Sequence, residues 1–87
     1  MKNNSVYYVY IVECADGSYY TGYTTDVQRR LNEHNFSSRS AKYTRSRRPV
    51  RLIYTETFDN LSAALKREYA IKKMSRKGKK ALISKGV

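Results

Sequence analysis

The chain has 87 residues, about 40% of them apolar, which is enough for one small core and too few for two domains. No apolar run approaches the ~20 residues of a membrane span, no charged start leads into an apolar stretch as in a secretory signal, and a lone Cys14 excludes an intramolecular disulfide. Eighteen Lys and Arg against seven Asp and Glu give a net charge of +11, so a small, basic, cytoplasmic protein with a structural thiol at Cys14 is the natural expectation.

Residues 1–5 are polar and expected to fray. Val6 to Val12 is β-branched and aromatic throughout, which predicts a strand with Val9 and Ile11 on one face and Tyr8 and Tyr10 on the other. Ala15-Asp16-Gly17 is a turn signal, and Tyr19 to Thr24 is the returning strand. A two-residue Asp16-Gly17 turn would put Tyr10 and Tyr20 on opposite faces. A three-residue loop with Gly17 left-handed would pair Val12 with Tyr20 and set Gly22 opposite Tyr10. The second register is the one expected, partly from the resemblance given below.

Thr25 or Asp26 caps a helix from Asp26 to about Asn35. Val27 and Leu31 form its apolar stripe, Arg30 and His34 sit one turn apart on the border of that stripe, and Gln28, Arg29, Asn32 and Glu33 face away. Residues 36–50 read as a basic loop carrying Arg39, Lys42, Tyr43, Arg45, Arg47 and Arg48, suited to phosphates and to one stacked base. A solvated charged loop is the alternative. Arg51 to Thr57 is a third strand. Asn60 to about Met74 is the long helix, with Ser62 or Asn60 as its cap and Leu61, Ala64, Leu65, Tyr69 and Ile71 as its expected buried stripe. Glu68 falls in the middle of that stripe with Lys72 beside it. A carboxylate there is costly unless it is paired or binds a metal, and a Glu68–Lys72 surface pair is the plain alternative. Ser75 caps a last helix, roughly Arg76 to Ser84, whose Ala81, Leu82 and Ile83 form a small apolar patch.

The charge is segregated along the chain. Residues 1–35 hold three Lys/Arg and four Asp/Glu, a balance of −1, whereas residues 36–87 hold fifteen and three, a balance of +12. A nucleic acid is the partner that best accounts for this. A merely solubilising surface is the alternative, and a membrane is disfavoured because no helix with bulky apolar anchors accompanies the charge.

Tyr10, Tyr20, Arg30, His34 and Glu68 are the unusual residues. With one His and one Cys there is no zinc set, there is no phosphate-cradling glycine loop, and no Ser or Cys nucleophile stands beside His34. What remains suits metal-assisted attack of water on a phosphodiester. Glu68 is available to hold a hard cation, a tyrosine or histidine to take a proton, and Arg30 to offer a fork of donors to phosphate.

At these residues the sequence resembles the GIY-YIG nuclease superfamily, and its small stand-alone bacterial members in particular. Tyr8-Val9-Tyr10 and Tyr20-Thr21-Gly22 stand at the two name-giving motifs. Arg30, His34 and Glu68 stand at the family's helix arginine, its His-or-Tyr position and its metal-binding glutamate. The runs AKYTRSRRPVRLIY and LKREYAIKKMSR extend the likeness over nearly the whole chain. The resemblance implies one α/β (α+β) domain spanning 1–87, with a three-stranded antiparallel sheet flanked by helices in the order β-β-α-β-α-α. It implies one Mg²⁺ or Mn²⁺ at Glu68, Tyr10 as general base or water-positioning group, His34 as proton shuttle, Arg30 as transition-state clamp and Tyr20 orienting the phosphate. The expected activity is DNA endonuclease, in repair or structure processing, with Arg39, Lys42, Tyr43, Arg45, Arg47, Arg48 and Lys72 on the nucleic acid and a protein partner supplying targeting. Two departures stand out: Tyr8 replaces the first motif's Gly, and no Asn follows Asn60 where many members carry one. The second departure supports the alternative of a nucleic-acid-binding module with weak or no catalysis.

Overall fold

The computed structural model describes residues 6–85, so the fraying expected at 1–5 lies outside the described residues. The elements are β1 (Tyr7–Glu13), β2 (Tyr19–Thr24), α1 (Val27–Phe36), α2 (Lys42–Arg45), β3 (Arg51–Phe58), α3 (Leu61–Lys72) and α4 (Arg76–Lys85). The strands form the expected three-stranded antiparallel sheet, its strand order being β2-β1-β3, with the one-turn α2 added inside the basic segment.

Local chemistry sets the first half. Gly17 takes φ +84°, which an L side chain rarely adopts, and Cys14 N–H donates to the Ser18 carbonyl at 2.8 Å. This closes the three-residue loop, and the register follows: Val12 pairs with Tyr20 and Tyr10 with Gly22. Asp26 caps α1 by accepting from Arg29 N–H at 3.0 Å, Asn60 caps α3 by accepting from Ala63 N–H at 2.8 Å, and Ser75 Oγ accepts from Gly78 N–H at 3.1 Å at the start of α4.

β1 is central and buried on both faces. Val9 and Ile11 pack with Ala64 and Ile71 of α3, with Tyr19, Met74, Leu82 and Ile83 around them. Tyr10 and Val12 pack with Cys14 and Val50 on the other side, against Tyr20, Leu31 and Leu52. Each fully buried aliphatic side chain here contributes about 1.5–3 kcal/mol.

The buried face of α3 differs from the expected stripe. Ala64 and Ile71 are buried, but Leu61, Leu65 and Tyr69 are 40%, 38% and 63% exposed. These residues span one broad arc of the helical wheel, and only the flank bearing 64 and 71 lies on β1 and β2. Glu68 therefore stands at the border between the covered and the open flank.

The basic segment also departs from a solvated loop. Its base is closed by Asn35, whose side chain accepts from Val50 N–H at 2.7 Å and donates to the Val50 carbonyl at 3.0 Å. Arg48 turns inward, donating to the His34 carbonyl at 2.6 Å, to Ser40 Oγ at 3.0 Å and to the Ser37 carbonyl. Arg47 crosses to Asp16 at 3.1 Å and donates to the Tyr43 carbonyl at 2.8 Å.

Candidate active site

A cleft of about 470 Å³ opens along β2, with Tyr10, Tyr20, Gly22, Arg30, Glu33 and Glu68 among its lining residues. Three elements meet there. The hairpin supplies the two tyrosines from neighbouring strands, α1 supplies Arg30, and α3 supplies Glu68 from the flank described above. The Tyr10 and Tyr20 rings lie 6.5 Å apart, centre to centre. Gly22 lets them share the space: a Cβ on it would lie 2.6 Å from Tyr10 Oη.

His34 stands behind this cleft. It is fully buried, its Nε2 lies 2.7 Å from Tyr10 Oη, and its ring meets Tyr20 edge-on at 5.3 Å. Its Nδ1 lies 2.8 Å from Oγ1 of Thr44, also fully buried. Burial, helped by the neighbouring Arg30 charge, pulls the imidazole down to about 4, so His34 is neutral at pH 7. Burial likewise pushes the Tyr10 hydroxyl up to about 12, against the downward pull of Arg30. The resting pair is a neutral phenol bonded to a neutral imidazole.

Arg30 is anchored. Its Nη1 donates to Glu33 Oε1 at 3.0 Å and to the Arg39 carbonyl at 2.9 Å, with the side chain 23% exposed. Burial works against its charge, but its contacts with Glu33 and Tyr10 outweigh this and raise its pKa. Glu33 was expected to face away, yet it lines the cleft; its i,i+3 spacing from Arg30 was the available signal. Glu68 is 15% exposed, and its Oε2 lies 3.4 Å from Nζ of the half-exposed Lys72.

The residues expected on nucleic acid divide. Arg39 and Lys42 are exposed, and Arg45 is exposed while donating to the Ser38 carbonyl at 2.6 Å. Arg47 and Arg48 instead hold the segment together through the bonds given above, and Lys72 is paired with Glu68. Tyr43 is 38% exposed; it stacks on Tyr20 with ring centres 6.1 Å apart and carries the Arg47 guanidinium 3.9 Å from its own centre. Thr44 was missed altogether, because nothing in KYTR marks a threonine that will meet an imidazole ten residues away.

Of the two carboxylates lining the cleft, Glu33 is engaged by Arg30, which leaves Glu68, with the tyrosine hydroxyls of the same cleft, as the donors available to a single hard cation that keeps most of its water; Mg²⁺ is commonly held through one or two carboxylates with substrate phosphates completing its shell. Among the described residues no three His, Cys, Asp or Glu come together as a group that could hold a metal ion by itself.

The hairpin tyrosine pair, the helix arginine and Glu68 thus line one cleft, and these are the positions at which the sequence resembles a nuclease superfamily. Residues 6–81 match the GIY-YIG catalytic domain, and the chain belongs to the GIY-YIG family. It is similar to small single-domain UPF0213 proteins. One from Halobacterium salinarum is 60% identical over 77 residues, covering 88% of this chain and 99% of the relative. One from Staphylococcus saprophyticus is 56% identical over 80 residues, covering 92% and 96%. The solution structure of the UPF0213 protein of Bacillus halodurans aligns with TM-score 0.61 at 52% identity, covering 93% of this chain and 86% of that one. A solution structure of an E. faecalis protein aligns with TM-score 0.65 at 46% identity, covering 98% and 90%.

Proposed function

We propose that the protein is a divalent-metal-dependent endonuclease that hydrolyses phosphodiester bonds in DNA, with roles in repair or structure processing. The observation that carries this reading is the buried Tyr10–His34 pair at the back of a cleft that also holds Arg30 and Glu68. Tyr10 Oη takes a proton from the attacking water as its own proton passes to His34 Nε2. The pair needs this coupling, since an isolated phenolate is disfavoured by a pKa of about 12 and an isolated imidazolium by one of about 4. Arg30, held by Glu33 and the Arg39 carbonyl, supplies fixed positive charge to the phosphate oxygens without reorganising. Tyr20 orients the phosphate. Glu68, in the same cleft as the two tyrosines, would hold Mg²⁺ or Mn²⁺, which would supply Lewis-acid polarisation of a phosphate oxygen. Arg39, Lys42 and Arg45 contact the backbone of the nucleic acid, and a protein partner supplies targeting.

The test is Mg²⁺-dependent nicking of plasmid or flap DNA by the whole protein. Arg30→Ala and Glu68→Ala are each expected to reduce it by about 10²–10³-fold. Cleavage that survives both changes refutes the assignment. A second reading, a DNA-binding module with little catalysis, is favoured by the absence of any Asn after Asn60 and by Lys72 at 3.4 Å from Glu68. It predicts retardation of DNA that weakens steeply with salt, and no metal-dependent nicking.

A further inference from the structure

The His34 imidazole has one hydrogen-bond contact at each nitrogen, Tyr10 Oη at Nε2 and Thr44 Oγ1 at Nδ1. A neutral imidazole donates from one nitrogen and accepts at the other, so whatever faces Nδ1 decides what Nε2 can do. Thr44 sits in the one-turn α2, and its hydroxyl also lies 3.1 Å from the Ala41 carbonyl at the start of that turn, to which it donates. A carbonyl only accepts. The hydroxyl has a single proton, so having given it to Ala41 it presents a lone pair to Nδ1. With the hydroxyl proton on the Ala41 carbonyl, which also accepts from Thr44 and Arg45 N–H at 3.1 and 3.0 Å, the arrangement calls for the His34 proton on Nδ1 and the lone pair on Nε2, with Tyr10 donating across the 2.7 Å contact.

We propose that Thr44 is a positioning residue that holds His34 as the Nδ1–H tautomer, the only neutral form able to receive a proton from Tyr10. With the opposite tautomer Nε2–H would point at Tyr10 Oη, and the relay would have no acceptor. The segment around Thr44 is built to keep it there. Arg47 clasps the Tyr43 carbonyl and ring, Tyr43 stacks on Tyr20, and Arg48 holds the His34 carbonyl. The charged and titratable groups facing the imidazole are Tyr10 from β1, Tyr20 from β2, Arg30 and Glu33 from α1, and Arg48 from the segment after α2. Among the described residues Thr44 alone hydrogen-bonds to Nδ1. Several of the cations in the basic segment thus serve the site indirectly, by fixing a hydroxyl.

The catalytic meaning of this inference rests on the proposed nuclease reading, but its readout does not. His34 is the only histidine in the chain, so the imidazole nitrogens of the ¹⁵N-labelled protein are read by NMR without ambiguity. At pH 7 the native protein is expected to show a protonated Nδ1 and an unprotonated Nε2. Thr44→Val removes the lone pair at similar volume; it is expected to shift the signature towards Nε2–H and to lower metal-dependent nicking by about 10- to 100-fold. Thr44→Ser is expected to restore the native nitrogen signature and most of the rate. An Nε2–H imidazole in the native protein, or a folded Thr44→Val variant with the native signature, overturns the proposal. Should Thr44→Val not fold, the native signature decides alone. A protein that fails to cut DNA yet shows the Nδ1–H tautomer refutes the nuclease reading and upholds the role of Thr44.

Discussion

Gly22→Ala is the smallest change that puts this geometry under load. The added Cβ would sit 2.6 Å from Tyr10 Oη and 2.8 Å from Tyr10 Cζ, where ordinary contact begins near 3.4 Å. Tyr10 would have to retreat by about 0.8 Å to restore contact at its oxygen. It has nowhere to go, being 2% exposed and tied at 2.7 Å to a fully buried His34. Overpacking of this size costs about 1–3 kcal/mol, and stretching the Tyr10–His34 bond adds about 1 kcal/mol. Urea unfolding is expected to report a loss in that range. Displacing the proposed proton acceptor by most of an ångström is expected to lower nicking by about 100-fold. A double-mutant cycle sharpens the test. Tyr10→Phe removes the atom in closest conflict, so its combination with Gly22→Ala is expected to destabilise by less than the sum of the two, with a coupling of about 0.5–2 kcal/mol. Strict additivity, or a Gly22→Ala protein as stable and active as the native one, would show that Tyr10 is not packed over Gly22 and refute the reasoning.

His34 sets an acid limit on stability. Its folded pKa of about 4 lies below the ordinary 6.5, so between these values the unfolded chain binds a proton that the folded one does not. Its contribution is therefore complete above 6.5 and lost as pH falls towards 4, by about 3 kcal/mol. His34→Gln is expected to show a flatter dependence of urea midpoint on pH between 7 and 4. A parallel dependence in both proteins would refute it. Arg67 grips Glu56 through two bonds of 2.8 and 2.9 Å, joining α3 to β3. Arg67→Ala is expected to lower stability by about 1–2 kcal/mol in urea unfolding. It is also expected to release the Glu56 carboxyl, now held low mainly by Arg67, so that it titrates nearer its usual value by NMR.

What was legible in the sequence was what local chemistry decides. Asp16-Gly17 marks the hairpin and narrows its register to two, between which the family resemblance tips the choice, and Asp26 and Asn60 mark two helix starts. Glu68 announced itself by falling among apolar neighbours. The rest was hidden for two physical reasons. The apolar residues of α3 cover more of its circumference than a small sheet can bury, so periodicity alone did not say which flank would win, and Leu61, Leu65 and Tyr69 were assigned to the wrong side. The basic segment owes its order to partners far away in sequence: Arg47 to Asp16 across 31 positions, and Val50 to Asn35 across 15. A stretch of Ser and Arg reads as solvated until those partners are known, and Thr44 is invisible with it.

The two charges proposed to act are held in different ways, and the difference suits their tasks. Arg30 is sheltered and has two acceptors from different parts of the chain, Glu33 and the Arg39 carbonyl, so moving it would leave a partly buried cation short of partners. It behaves as a fixed post. Among the described residues Glu68 has a single ion-pair partner, Lys72, one turn along the same helix, with the lysine 49% exposed. Such a pair is worth under about 1 kcal/mol, because water replaces the lysine contact readily. A small, strongly charged ligand competing for that carboxylate therefore displaces little, while the phosphate arriving at Arg30 meets a guanidinium already held in place. The positive charge of the site is preorganised and its carboxylate is exchangeable, as the proposed nuclease function, with its release of a cation, a phosphate and a cut strand, would require.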